Sequence, residues 1–505
     1  MSFGKLGKVM LLSVIAYCLV LAGWYALHGD IVFHSDIARD FALMDQMVME
    51  RKITLIGEGI RGLPGLYHGP AWLYLNLPAF VVGQGNPIAV GWWWVVLEML
   101  SLYSIYWVGR KIFSPMIGLM GAAIVASRIP LFSHQLFNPN GAFLLFPTFF
   151  YFMWQYHNKG RIRDLAVGSV LAGLLIQFEI MFGLPMFLSL IMLVIYKIFR
   201  RQEKLSHALI LLVILLPLST YILFDLRHNF LQLRAIATYL RADNPVYMTI
   251  KEVFLNRWSE LTMSIGLLSR GDIWIRRMAS LLFWICVGRG LVKNNRMGFF
   301  SLYLWVNLVF WAFSFLFPEP IKGYYFDFTA INAIIFASQL ESVGRYVAVV
   351  ILVPLLFVNV SQAEVAAFST RDFSRQAESS WLFNKTLGEI IVDDAPESFS
   401  VFTLDTDIWG YSANYGVRYA AQISRKKVNF VTKSATTYLV VAKNTIDHPQ
   451  FDVRWWREDQ VRIKKEPVRT WDYKGLFLIE KYLLTSEEAA IPEDPHLMST
   501  NMTLR

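Results

Sequence analysis

The sequence is short of charge. Only 17% of its 505 residues are Asp, Glu, Lys or Arg, against roughly 25% in soluble globular domains. With 55% apolar residues and a mean hydropathy of +0.42, that deficit excludes an ordinary soluble domain and points to the bilayer. Cysteine is nearly missing too. Cys18 and Cys286 both sit inside apolar runs, so no disulfide is expected in the hydrophilic parts, whatever compartment they face. The net charge is +9, yet no Lys/Arg-rich run with interleaved aromatics occurs, which argues against nucleic acid as a partner. No cleavable leader is evident either. Lys5 and Lys8 precede an apolar run from Val9 to Leu27 without a small-x-small site, which reads as a retained first helix.

What the chain has instead is hydrophobic runs. Segments near 9–27, 88–108, 116–134, 141–157, 164–180, 183–199, 207–225, 276–292, 298–316, 326–343 and 345–361 approach the roughly 17–25 residues that a spanning helix needs. Lys5/Lys8, Arg110/Lys111, Lys159/Arg161/Arg163, Arg200/Arg201/Lys204 and Lys293/Arg296 fall at every second connection. That alternation predicts a cytoplasmic N-terminus, and the crossings then leave the C-terminal region outside the cytoplasmic (inner) membrane. PAWLYLNLPAFVVGQ, Pro70 to Gln84, is apolar but short and holds two prolines. It is expected to lie at the outer surface as an amphipathic or re-entrant helix. Residues 28–87 then form one large outer loop.

From Gln362 the composition turns polar. A helix over Ser379–Val392 and strands in SFSVFTLD, VNFV, TTYLVVA and GLFLIEKYLL predict an α/β domain over 362–484, and 485–505 reads as a disordered tail. The expected fold class is a polytopic α-helical membrane protein with about 11 transmembrane helices over 1–361. A small extracytoplasmic α/β domain follows at its C-terminus.

Polar clusters interrupt this pattern. FHSDIARDF, Phe33 to Phe41, follows the first run. With Ser35 capping a helix, Asp36, Arg39, Asp40 and Leu43 share a face, with His34 beside them. Either this is a surface ion pair of small consequence, or an acid and a guanidinium are aimed at one site. GEGIRGLPGLYHGP carries Arg61 and His68 among glycines, which suits close approach to an anion or simply a loop. SHQLFNPNG holds His134, Asn138 and Asn140, as a polar site or as a tight turn. Glu98 lies mid-span and Glu179 near a span's end, where ionisable groups are costly and tend to face a cavity. FDLRHNF adds Asp225, Arg227 and His228, and PEPIKGYYFDF adds Lys322, Tyr324 and Tyr325. Nearly all of these fall on the predicted outer side, as expected for a site working on a lipid-borne substrate.

This pattern resembles the polytopic GT-C glycosyltransferases, specifically glycosyltransferase family 39 with its protein O-mannosyltransferases and aminoarabinose transferases. The resemblance rests on a first helix, an outer loop with an acidic motif, many further spans and a C-terminal outer domain. The motif is D-x-x-R at Asp36–Arg39, with Ile37 where the family commonly has a second acid. LYHGPAWLYL resembles the family's lysine-proline-proline stretch, with Gly69 at the lysine position. The resemblance implies transfer of a sugar (hexosyl or pentosyl) from a polyprenyl-phosphate donor to an acceptor glycan, lipid or protein, with inversion. Asp36 would be the general base. Arg39, Arg61, His68, Arg227, His228 and Lys322 would meet the donor phosphate. Trp72, Tyr324 and Tyr325 would stack on sugar or line the prenyl groove. His34, Asp40, His134, Asn138, Asn140 and Glu179 complete the expected pocket.

No metal cluster is evident, so metal-independent transfer is expected, with Asp36 and Asp40 the pair that could hold a divalent ion. A lipid-sugar flippase or other transporter is the alternative. It would need a charged, two-sided path near the midplane.

Overall fold

In the computed structural model, the described residues are all but 1–4, 61–62, 242–247, 264, 269–272, 294–296, 318, 322, 371–377, 406–409, 447–451, 496 and 498–505. The chain divides into two compact units. One comprises 1–23, 55–75 and 93–367, the other 24–54, 76–92 and 368–505.

The first unit is helical because hydrocarbon leaves backbone polar groups no partner but each other. A helix lies at every one of the eleven expected spans, from Lys5–Ala22 through Pro87–Ile112 to Arg345–Phe368. Among the described residues, five helices are long and apolar enough to cross a membrane: Lys5–Ala22, Pro87–Ile112, Ile180–Phe199, Ser206–Arg227 and Tyr346–Phe368. Leu216, Phe357 and Val350 project outward from them, each about 70% exposed in the chain alone, as lipid-facing side chains should. The chain is a multi-pass membrane protein.

Local signals set the helix ends. The Ser114 hydroxyl accepts from Ile117 N–H, with Pro115 following at the first helical position. Gly160, at φ 62°, closes Asn138–Lys159 in the left-handed conformation. Inside the bundle the Phe146 ring meets Phe182 at 5.1 Å and Phe328 at 5.4 Å. Gly109 lies so near Gly118 that a Cβ there would come within 2.6 Å of its Cα, the small-residue contact that lets membrane helices close up. Two helices without a predicted counterpart, Leu231–Arg241 and Ile250–Met263, follow the seventh span.

The second unit is built on a five-stranded sheet of order β2-β1-β3-β5-β4: β1 Ser398–Leu404, β2 Lys427–Asn429, β3 Thr436–Ala442, β4 Arg469–Tyr473 and β5 Phe477–Leu483. β1 runs parallel to β2 and β3, while β5 is antiparallel to β3 and β4. All of β3 is buried, because the sheet is covered on both faces. Helices Trp381–Asp394 and Tyr411–Ile423 cover one face, and Trp456, Val461 and Ile463 pack on the other.

Two expectations are corrected here. The stretch from 485 is not disordered throughout: Thr485 and Glu488 form a reciprocal cap on a helix at Ser486–Ala490, and Leu497 packs against the second core. The outer loop 28–87 does not belong wholly with the spans either, since 24–54 and 76–92 cluster with the C-terminal domain. Its short apolar stretch is a single helix, Ala71–Val82, too short to cross.

Candidate active site

In the second unit the acidic motif begins the helix Ser35–Glu50. His34, not Ser35, is the capping residue, and its side chain makes no cap bond. Burial, the larger effect, pulls its imidazole below the ordinary 6.5 and Arg39 adds to this, while Asp36 opposes it. One helical turn on, Arg39 Nη1 donates to Asp36 Oδ1 at 3.0 Å, and Arg39 Nη2 lies 3.7 Å from Asp40 Oδ1. The guanidinium therefore lies within reach of both carboxylates. The acids differ in access: the Asp36 side chain is 53% exposed and that of Asp40 only 4%.

What fixes this helix is the chain on either side of it. Asp30 is fully buried. Its Oδ1 accepts from Ile31 N–H at 2.9 Å and Leu382 N–H at 3.0 Å, and its Oδ2 accepts from the Ser380 hydroxyl at 2.7 Å. Phe33 N–H donates to Ser379 O, Trp381 N–H to Ile31 O, and the Ser412 hydroxyl to Phe33 O. The Phe33 ring meets Phe41, Trp381 and Tyr415 within 5.4 Å. Farther along, Arg418 Nη1 donates to Asp45 Oδ2 at 3.1 Å. The C-terminal domain is thus the mount on which Asp36 sits. Sequence reading assigned it no such part, because Asp30 looks like any loop aspartate until its partners arrive from 350 residues downstream.

In the first unit a second cluster forms where helices Ile162–Phe178 and Ile180–Phe199 meet. Glu179 is buried and accepts from Met181 N–H at 3.1 Å, capping the second helix. Glu58, also buried, lies close enough that the two carboxyls and the Tyr221 hydroxyl feel one another's charge. Glu58 was missed: nothing in GEG signals burial. His68 N–H bonds to Glu58 O, and Gly69 N–H to Gln177 O. Gln177 Nε2 donates to Pro217 O and the Thr220 hydroxyl. A Cβ on Gly69 would overlap Gln177 Oε1 and come within 2.9 Å of its Cα, so the glycine is needed for this contact.

The other expected residues of this unit are engaged as follows. Trp72 is buried with its ring 6.4 Å from Phe178, so it is no open platform. Asn138 Nδ2 donates to Phe178 O, 40 residues away, and Asn140 Oδ1 accepts from Phe137 N–H within the turn. His134 is buried and bonds to the Pro130 backbone. His228 stacks on Phe224 at 4.2 Å, and Arg227 is exposed. Asp225 caps the helix Leu231–Arg241, accepting from Gln232 and Leu233 N–H. Tyr325 closes the turn Gly323–Tyr325 and is half-buried. Glu98 is buried within the field of Asp327. Arg61 and Lys322 lie outside the described residues, as does the side chain of Tyr324. Among the described residues no group of three or more His, Cys, Asp or Glu is placed to hold a metal ion.

No family model and no curated protein matches the sequence. Solved structures do. ArnT from Cupriavidus metallidurans bound to undecaprenyl phosphate superposes with a TM-score of 0.63 over 97% of this chain and 100% of that chain, at 10% identity. The chain has the fold of ArnT. The apo form of ArnT gives 0.61 over 96% of this chain and 100% of that one, at 11% identity. Spans and C-terminal sheet domain both fall inside these matches, so the whole architecture is shared although nearly nine residues in ten differ.

Proposed function

We propose that the chain is a glycosyltransferase that moves a sugar from a polyprenyl-phosphate donor to an acceptor hydroxyl at the outer face of the membrane. The end-to-end likeness of fold to ArnT, solved with undecaprenyl phosphate, is the observation that carries this reading. In the proposed reaction the acceptor oxygen attacks the anomeric carbon in line. The new C–O bond forms as the bond to the phosphate oxygen breaks, and the polyprenyl phosphate leaves with the electron pair. The acceptor's proton passes to Asp36, which is exposed enough to receive it. Arg39 holds Oδ1, which leaves Oδ2 as the proton acceptor. Charge developing on the leaving phosphate calls for cationic and N–H donors, for which His68, Arg227, His228, Arg61 and Lys322 are the candidates.

The test is direct. Purified protein is incubated with undecaprenyl-phosphate-linked sugars and an envelope-lipid or glycan extract, and release of undecaprenyl phosphate is followed by mass spectrometry together with the mass gained by an acceptor. Release coupled to a new glycosidic product supports the proposal. Sugar moving across vesicles with no new bond would favour a transporter instead.

A further inference from the structure

At the opposite end of the first unit from Glu179, a cavity of about 320 Å³ opens beside the turn between helices Asn138–Lys159 and Ile162–Phe178. Its rim is cationic, with Lys159, Arg161 and Arg163 all exposed. Its wall is aromatic: Trp107 from the helix Pro87–Ile112 and Tyr151 meet edge to face at 4.4 Å between ring centroids. Asp164 lies behind the rim, only 3% exposed. Its Oδ1 is 3.7 Å from Arg163 Nε, and its Oδ2 accepts no hydrogen bond among the described residues. Gln155 is buried next to it in the lining, its Nε2 donating to the Tyr151 hydroxyl at 2.7 Å.

These parts specify a ligand. Three cations on the rim select a phosphate, which Arg meets with paired N–H donors. A buried carboxylate oxygen without a donor calls for a hydroxyl or ammonium on the same ligand. Three positive charges against one negative favour a ligand with net negative charge, so hydroxyls fit better than an ammonium. An aromatic and apolar wall at the end of spanning helices is where an acyl chain leaves the headgroup layer. Basic pockets between membrane helices are a recurring form of lipid-headgroup site. We propose that this cavity binds an anionic phospholipid with a hydroxylated headgroup, such as phosphatidylglycerol. Its phosphate would lie against Arg161, Arg163 and Lys159, and its headgroup hydroxyls would donate to Asp164. This site is independent of the transfer reaction proposed above.

The test uses the full chain purified in a neutral detergent, titrated with phosphatidylglycerol, phosphatidylethanolamine, phosphatidic acid or inorganic phosphate. Binding is read by native mass spectrometry and as a shift in melting temperature. Phosphatidylglycerol is expected to bind more tightly than the other three. Arg161→Ala with Arg163→Ala should weaken it about tenfold or more, whereas Arg200→Ala with Arg201→Ala, an exposed pair outside the lining, should change it less than twofold. Asp164→Asn should erase the preference for phosphatidylglycerol over phosphatidic acid, and retained binding of phosphatidic acid shows that the variant is folded. Three results would overturn the proposal: equal binding of phosphatidylethanolamine, equal stabilisation by inorganic phosphate alone, or equal losses from the two arginine pairs.

Discussion

Asp36 and the pair Glu58 and Glu179 are all carboxyl groups, but they live under opposite rules. Asp36 stands half-exposed on the first turn of a helix with an arginine on one oxygen. Glu58 and Glu179 are buried in the membrane unit, and Glu179 is occupied with capping a helix. A base for a transfer reaction must be open to its substrate and held in one orientation, and Asp36 meets both conditions. The buried pair fails the first. Burial, often taken as the mark of a functional acid, here goes with a scaffold role for Glu179, which caps a helix.

That contrast can be attacked at several points, beginning with the largest expected effect. Asp30→Ala removes the acceptor for two N–H groups and one hydroxyl in a dry site. Bonds to a charged partner contribute roughly 1.5–3 kcal/mol each, less than additively, so a loss of about 3 kcal/mol or more is expected in chemical unfolding of the purified protein. A change under about 0.5 kcal/mol would mean that Asp30 does not anchor the motif helix. Next, Gly69→Ala should cost about 1–3 kcal/mol by overpacking against Gln177. Gly288→Ala, with open space around its Cβ in the helix Ile273–Lys293, should be neutral or gain up to about 1 kcal/mol.

Glu179→Gln keeps an acceptor for Met181 N–H, so melting should hardly move and turnover should fall less than about tenfold. A loss comparable to that of an Asp36 variant would transfer the role of base to the buried pair. The smallest effect concerns pH. The His34 imidazole has a folded value below 6.5, so the folded chain binds fewer protons than the unfolded one as pH falls past 6.5. Stability should therefore decline from about pH 6.5 down to the folded value, and His34→Gln should flatten that decline. An unchanged slope would remove His34 from the account.

Much of the fold was legible because a lipid solvent writes it plainly: each run of apolar residues of spanning length became a helix. The helices Leu231–Arg241 and Ile250–Met263 were not, because their apolar residues are interspersed with charges. β4, RTWDY, was hidden because this edge strand is short and mostly polar. Tyr411–Ile423 buries small and polar residues such as alanine, glycine, serine and asparagine beside its tyrosines, and no run of large apolar residues marks it. At the candidate site the Asp36–Arg39 pair followed from i, i+3 spacing alone. Asp30 and Glu58 did not, since what defines them is burial and partners far away in sequence. Asn138 and Asn140 illustrate the converse: they looked like pocket residues, but Asn138 bonds to Phe178 O at the end of another helix and Asn140 bonds within its own turn.

The central claim is that Asp36 takes a proton from the acceptor, and single-turnover transfer by Asp36→Asn, with a labelled polyprenyl-phosphate sugar preloaded, tests it most directly. Donor binding should be retained within a few-fold while the transfer rate falls about 10²-fold or more. A transfer rate within a few-fold of the native enzyme would contradict the claim.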